Sequence, residues 1–351
     1  MISKKVPKIF LLLFLVISVS CSKTEENVPL TTPTAQISVD ELVRKASLIN
    51  QEIPFKIVNE AGEDVTSLAT FYVDGDAIDG SSFSSDAIGE FEVYGVYMED
   101  GVEVTTNTEN FTVIIPKRKI VVEDYTGTWC GFCPRVSAAL TSLHQETDDI
   151  TVIAIHETAN SYPDPMHFSQ VQTLKDAFNV EGFPAAKINR TTEWQNPHAN
   201  TDVTSIAGLD TNLAIAINSE LEGDELTVQV NVVYEEGSVL GDKLVVYLLE
   251  DEIINGQVNY YNGDSTSPFY NMGDVIPEFE HNEVLRNSLS AVLGDAIPVT
   301  SALTEYITSF TMTVPSDYVM DNLSIAAMVV DSNNSAKNSQ FAHIEEDKAY
   351  E

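Results

Sequence analysis

Basic residues are scarce in this chain: 18 lysines and arginines stand against 54 aspartates and glutamates, a formal net charge of −36 over 351 residues. A surface of that sign repels nucleic acid phosphates and anionic headgroups, so neither nucleic acid nor a bare lipid surface is expected as a direct ligand. Cysteine is scarcer still. Three residues leave no second pair to complete a four-cysteine zinc site, and no metal or cofactor is called for by any motif. The longest apolar run, residues 9–19, is too short to span a bilayer. A nucleophilic serine elbow is absent and the six histidines lack motif-spaced partners, so nothing supports a hydrolase. What remains is ample core material, 43% apolar with 15 Phe and 13 Tyr, in a chain long enough for two or three domains.

The amino-terminal segment precedes any fold argument. Lys4, Lys5 and Lys8 lead into the apolar run, and Cys21 follows at once after Ser20. An odd cysteine count in an exported chain asks for a role for the unpaired one, and pairing Cys130 with Cys133 leaves Cys21 over. Ser18-Val19-Ser20-Cys21 resembles the bacterial lipoprotein signal, with Ser18 where that pattern has an aliphatic residue. The resemblance implies a lipidated Cys21 as the mature first residue and a membrane contact made through that lipid. Ser22 to Glu26 is similar to the acidic surface-export tag of Bacteroidetes lipoproteins. An ordinary cleavable signal or an uncleaved anchor fits the segment but gives the odd thiol no role. The expected layout begins with a signal peptide at 1–20 and a Thr-, Pro- and Glu-rich tether at 21–39.

Residues 40–117 alternate like strands of a small β-sandwich: Phe55 and Ile57, Phe71 and Val73, Phe91 and Val93, then Phe111, Val113 and Ile115. Ala61-Gly62, Asp74-Gly75 and Asp100-Gly101 mark the turns. The segment 40–49 reads equally as a short helix or a first strand. This region resembles the immunoglobulin-like modules of bacterial surface proteins. Pro116-Lys117-Arg118-Lys119 is a basic boundary in an acidic chain. Across 118–208 the order becomes strand (120–122), helix (130–144), strand (150–155), helix (168–178), strand (185–188), which is α/β. Residues 209–351 return to alternating apolar positions and predict a second, larger β-sandwich, interrupted by a long excursion at 259–290 rich in Tyr, Asn, Gly and Asp. Such an excursion is unusual without local structure or function of its own.

The strongest local signal is Thr128-Trp129-Cys130-Gly131-Phe132-Cys133-Pro134. A lone Cys-x-x-Cys is compatible with a structural disulfide, with half of a zinc site completed by histidines, or with a redox pair. Its place between an apolar strand and an amphipathic helix favours redox chemistry. Both cysteines are expected in the helix's first turn, where unpaired backbone N–H groups and the positive end of the macrodipole favour a Cys130 thiolate. Gly131 permits the close turn, and Pro134 is tolerated because first-turn N–H groups have no helical acceptor.

Residues 120–190 thus resemble the thioredoxin superfamily. The resemblance implies a nucleophilic Cys130, a resolving Cys133, Trp129 packed beside the disulfide, and Asp124 as the buried acid that relays a proton. Alternation puts Asp124 on the strand face of Val122, and a solvated strand-end aspartate is the alternative. Val180-Glu181-Gly182-Phe183-Pro184 matches the family's second landmark, a cis-proline before a strand, so Phe183 and Pro184 join Trp129 and Phe132 as expected substrate contacts. The chain departs from plain thioredoxin in Phe132 between the cysteines, in an extra loop at 157–167, and in showing no last strand and helix after Arg190.

A narrower resemblance covers most of the chain after Lys119. Asp124 to Pro134, the pairs Phe183-Pro184 and Asn189-Arg190, and His281 to Arg286 are similar to blocks of the Omp28-related outer membrane lipoproteins of Bacteroidetes. Together these readings predict a multidomain outer membrane lipoprotein at the cell surface or periplasmic face, its α/β thioredoxin-like domain flanked by an Ig-like and a carboxy-terminal β-sandwich. Its expected work is thiol–disulfide exchange on protein or peptide cysteines, recycled by a separate redox partner. The rival is a surface binding or adhesion protein whose disulfide is structural. Apolar and basic peptide flanks are expected to be preferred over glutathione.

Overall fold

The computed structural model describes residues 36–39, 45–159 and 161–351. The expected signal peptide and lipidated Cys21 lie outside the described residues. Among those described, no helix is long and apolar enough to cross a membrane.

Two small sheets form the amino-terminal unit. Gln36–Val39 and Ser82–Phe83 flank Ile53–Val58. The second sheet runs Ala46–Leu48, Glu109–Ile114, Gly89–Glu99, Thr70–Val73, Asp76–Ala77. Gln36–Val39 falls within the stretch expected as tether, so ordered pairing starts before residue 40. The segment 40–49 contributes a short strand at Ala46–Leu48 rather than a helix among its described residues. Alternation works as physics requires: Phe55, Ile57, Phe71, Val73, Val93, Phe111 and Val113 fill one core. Ile115, expected to extend the last strand, is exposed because pairing ends at Ile114. Asp74-Gly75 and Asp100-Gly101 both have positive φ at each residue, as two-residue hairpin turns of the mirror-image type demand.

Two cations of the basic boundary are held in ion pairs. Lys117 meets Asp210 and Lys119 meets Glu351. Ala46 and Leu48 pack against Ala214, Ala216, Val233 and Tyr350, so the amino-terminal unit rests on the carboxy-terminal one.

The central unit comprises β1 (Ile120–Thr126), α1 (Pro134–His144), β2 (Ile150–His156), α2 (Val171–Phe178), β3 (Ala185–Ile188), β4 (Thr192–Glu193) and α3 (Thr201–Thr204). Strand order is β4-β3-β1-β2, with β1 and β2 parallel and β3 antiparallel to β1. Every residue of β1 and β2 is buried, as expected for strands covered on both faces. The last strand and helix, invisible in the sequence, exist as stubs of two and four residues. On one face of β1, Ile120 and Val122 meet Val136, Leu140 and Leu143 of α1. On the other, Val121 and Tyr125 meet Leu174 and Phe178 of α2.

The carboxy-terminal strands are β5 (Leu213–Glu222), β6 (Glu225–Tyr234), β7 (Lys243–Glu250), β8 (Ile253–Val258), β9 (Val275–His281), β10 (Val284–Ser288), β11 (Tyr306–Thr313), β12 (Leu323–Val330) and β13 (Ala336–His343). The β5-β6-β11 sheet packs on β7 and β12 through residues such as Ile215, Val228, Val246 and Ile325. The second layer is continuous with the central unit. Parallel pairing of Ala154 with Val284 joins β2 to β10, and the sheet runs on through β7, β12 and β13, with Asp295–Ala296 paired to β7 as its ninth strand. The change of pattern near residues 208 and 209 is therefore no break in the sheet. The long excursion has its own structure, since β8 and β9 form an antiparallel hairpin ahead of β10.

A buried polar network ties these layers across the seam. Arg190 Nε donates to Glu123 Oε1 at 2.9 Å, and its Nη2 donates to the Tyr247 hydroxyl at 3.0 Å. The Tyr125 hydroxyl donates to Glu123 at 2.9 Å. Asn189 beside it exchanges hydrogen bonds with Val121. Thus Asn189-Arg190, singled out by resemblance, is a structural pin. Within the other block, Arg286 pairs with Glu250 at 3.2 Å and its guanidinium lies 4.2 Å from the Tyr318 ring centre.

Candidate redox site

Cys130 and Cys133 are joined by a disulfide with Cα atoms 5.4 Å apart, at the carboxyl end of β1. The helix begins later than the spacing implies. Pro134 is its first residue and Cys133 its amino-terminal cap, while Cys130 occupies the preceding turn. That turn is closed by Cys133 N donating to Cys130 O, and helical bonding follows with Val136 and Ser137 N donating to Cys133 O. Pro134 sets the boundary because it supplies the helical φ and has no N–H to bond backwards. Both cysteines are shielded, with 5% and 1% of their surface exposed.

The four expected substrate residues fall into two groups. Trp129 stacks on Phe183 with ring centres 5.7 Å apart, and its indole N–H donates to Glu157 O. Phe183 precedes Pro184 through a cis peptide. Lys175, paired with Glu157, lies 5.3 Å from the Phe183 ring centre. Phe132 belongs elsewhere: it is half exposed and meets the edges of Tyr260 and Tyr261 at 5.0 and 6.1 Å. One flank of the disulfide is thus built within the central unit, the other by the excursion.

Asp124 is buried, on the α1 face, and its Oδ1 has no hydrogen-bond partner. Burial pushes its carboxyl up to about 8, and the Glu283 carboxylate adds to the rise. It lines a cavity of about 210 Å³ together with His144, His156, His281 and Glu283. His144 Nε2 lies 2.6 Å from Glu283 Oε1, and that hydrogen bond holds the imidazole above its ordinary value despite burial. Burial, then the neighbouring His156, pushes His281 down to about 3, and its Nε2 has no partner. His156 and Asp164 are 3.0 Å apart. Burial opposes the Asp164 carboxylate, but His156 and the amides of Thr128 and Met166 outweigh it and keep its carboxyl low. Asp164 accepts from Thr128 N at 2.8 Å, which anchors the extra loop to the approach of Cys130. No three metal-ligating side chains converge among the described residues.

Glu283, His144 and His281 carry no motif that marked them as neighbours of Asp124. The one available signal was His281, which opens a block noted for resemblance. The same holds for Gln257 and Tyr260, which contact the Cys-x-x-Cys turn from β8 and its loop.

The described geometry accords with what the chain is similar to. A thioredoxin family model matches residues 102–208, and the model for outer membrane protein Omp28 matches residues 171–348. Among solved structures, HBP35 of Porphyromonas gingivalis is 16% identical, with 66% of this chain and 77% of that one covered at a TM-score of 0.50. A domain of the outer membrane lipoprotein Omp28 from Porphyromonas gingivalis is 21% identical over 38% of this chain and 88% of that one, at a TM-score of 0.25. No curated protein matches. The HBP35 likeness concerns fold alone, whereas the Omp28 match spans half of the sequence. With its thioredoxin-like unit and the disulfide it carries, this outer-membrane-associated chain belongs to the Omp28 family.

Proposed function

We propose that the protein exchanges thiols and disulfides with protein or peptide cysteines outside the cytoplasm. The observation that carries this reading is the Cys130–Cys133 disulfide at the strand-to-helix turn, with a buried, unpartnered Asp124 on the same side of the sheet. In the reducing direction the Cys130 thiolate attacks a substrate disulfide, forming a mixed disulfide and releasing one substrate thiolate. The Cys133 thiolate then attacks Cys130 Sγ, restoring the intramolecular disulfide and releasing the second thiolate. The substrate gains two electrons, the protein loses them, and Asp124 takes the Cys133 proton. The reverse sequence oxidises a dithiol. A separate redox partner of the thiol–disulfide class resets the pair, and its potential sets the direction.

Trp129, Phe183 and Pro184 are the proposed substrate flank, with Phe132 as an outer contact. Cys21 is the proposed lipid anchor, at the surface or periplasmic face, and acyl mass on Cys21 in the membrane fraction checks it. The amino-terminal unit, whose two sheets share one core, is read as an Ig-like spacer. To test the reaction, Cys133→Ser is incubated with a disulfide-linked cysteine peptide. A mixed disulfide at Cys130 that persists only in the variant is expected; its absence at every pH from 6 to 9 rejects exchange. The near-complete burial of both cysteines favours a second reading, a binding or adhesion protein with a structural disulfide. In that case neither protein forms the adduct.

A further inference from the structure

We propose that the β8–β9 hairpin is a working part of the redox site, with Gln257 as the positioning residue for Cys130. The inference deepens the exchange reading and rests on it for its purpose, though not for its test.

Gln257 is buried, and its Nε2 faces three carbonyl oxygens: Cys130 O at 3.0 Å, Val258 O at 3.1 Å and Gly127 O at 3.4 Å. Only the amide nitrogen satisfies such a cluster, since the side-chain oxygen would leave acceptors facing one another. The backbone continues the docking. Val258 N donates to Thr128 O at 2.8 Å and Tyr260 N to Gly131 O at 2.9 Å. Gly131 makes this approach possible, because a Cβ there would lie 2.5 Å from the Tyr260 ring. The turn therefore needs glycine for a contact with a segment more than a hundred residues away.

The docking has an electrostatic consequence. A trans peptide is planar, with C=O and the following N–H pointing in opposite directions. With the Cys130 and Gly131 carbonyls held by the hairpin, the N–H groups of Gly131 and Phe132 point away from it. Fixed N–H dipoles beside a sulfur favour its thiolate. The Gly127 carbonyl also accepts from Cys130 N and the Cys130 carbonyl from Cys133 N, so the turn's orientation is shared between the two units. The hairpin also covers the Phe132 side, leaving approach along the Trp129 and Phe183 flank.

The test follows alkylation of the reduced protein by iodoacetamide from pH 5 to 9, with Cys130 and Cys133 resolved by peptide mass. Gln257→Leu keeps the size and removes the donor. Loss of one hydrogen bond corresponds to about a fivefold slower labelling of Cys130 at pH 6 and a midpoint moved upward. A profile that overlays wild type, with only thermal stability lowered, overturns the proposal. Should Gln257→Leu fail to fold, amide hydrogen exchange of wild type decides. Reciprocal coupling requires the protection of Val258 and Tyr260 to differ several-fold between disulfide and dithiol forms. Equal protection overturns the proposal. Neither readout needs a substrate, so a protein that trapped no peptide but showed these shifts would lose the exchange reading alone.

Discussion

Strand β1 carries two buried acids one residue apart, and their surroundings are opposite. Glu123 faces α2 and is held by Arg190 and the Tyr125 hydroxyl, on a face where apolar residues of α2, β7 and β12 form one core. Asp124 faces α1, where a cavity replaces packing and one carboxyl oxygen has no partner. A buried charge with partners locks the fold; a buried carboxyl without them has its titration moved up to about 8, where it can take up or release a proton. On the exchange reading, the same strand separates a structural face from a chemical one. The comparison also explains why Asn189-Arg190 and the cysteine block resemble one family although they do different work.

Breaking the structural face should have the largest effect. Arg190→Met leaves Glu123 buried and unpaired, so urea unfolding should show a loss of about 3–5 kcal/mol, with exchange per folded molecule unchanged. A loss below about 1 kcal/mol would mean that the pin does not hold the seam.

On the chemical face the expected effect depends on pH. The carboxyl of Asp124 is raised to about 8, so between roughly pH 4 and 8 the folded protein holds a proton that the unfolded chain has released. Stability is full below that window and falls as pH rises through it, by about 1.4 kcal/mol per unit for this group. Asp124→Asn should remove that slope and slow closure of the disulfide from a mixed disulfide by about a hundredfold. Parallel stability curves for the two proteins would show the carboxyl to be ionised throughout.

The smallest effect is expected at the aromatic flank. Phe183→Ala removes the stacking partner of Trp129 and should slow exchange with an apolar, basic cysteine peptide about fivefold. Glutathione, already slower, should change less, and added salt should narrow the gap between the substrates. Equal change for both would mean that Phe183 is a core ring and no groove.

Much of the central unit was legible because local physics determines it. The runs at 120–122 and 150–155 are too apolar to be anything but buried, and alternation put Asp124 on the face of Val122, which α1 covers in the structure. Helix registration failed by one turn, since apolar spacing cannot distinguish a helix from the turns that lead into it, while Pro134 could. Partners across the seam were not legible. Val284 beside Ala154, Glu283 beside His144 and Gln257 beside Cys130 depend on strand pairing between distant segments, and burial patterns state that a strand is covered without stating by what. The excursion's length was the sole hint that it had a task.

The central claim, that the Cys130–Cys133 pair works rather than merely holds, is tested most directly by its reduction potential. Equilibration of the full chain with glutathione or dithiothreitol buffers, read by mass after alkylation, gives that value. Exchange requires a potential between about −100 and −270 mV, where cycling with thiol partners is possible. A value below about −300 mV would contradict the account and mark the disulfide as structural.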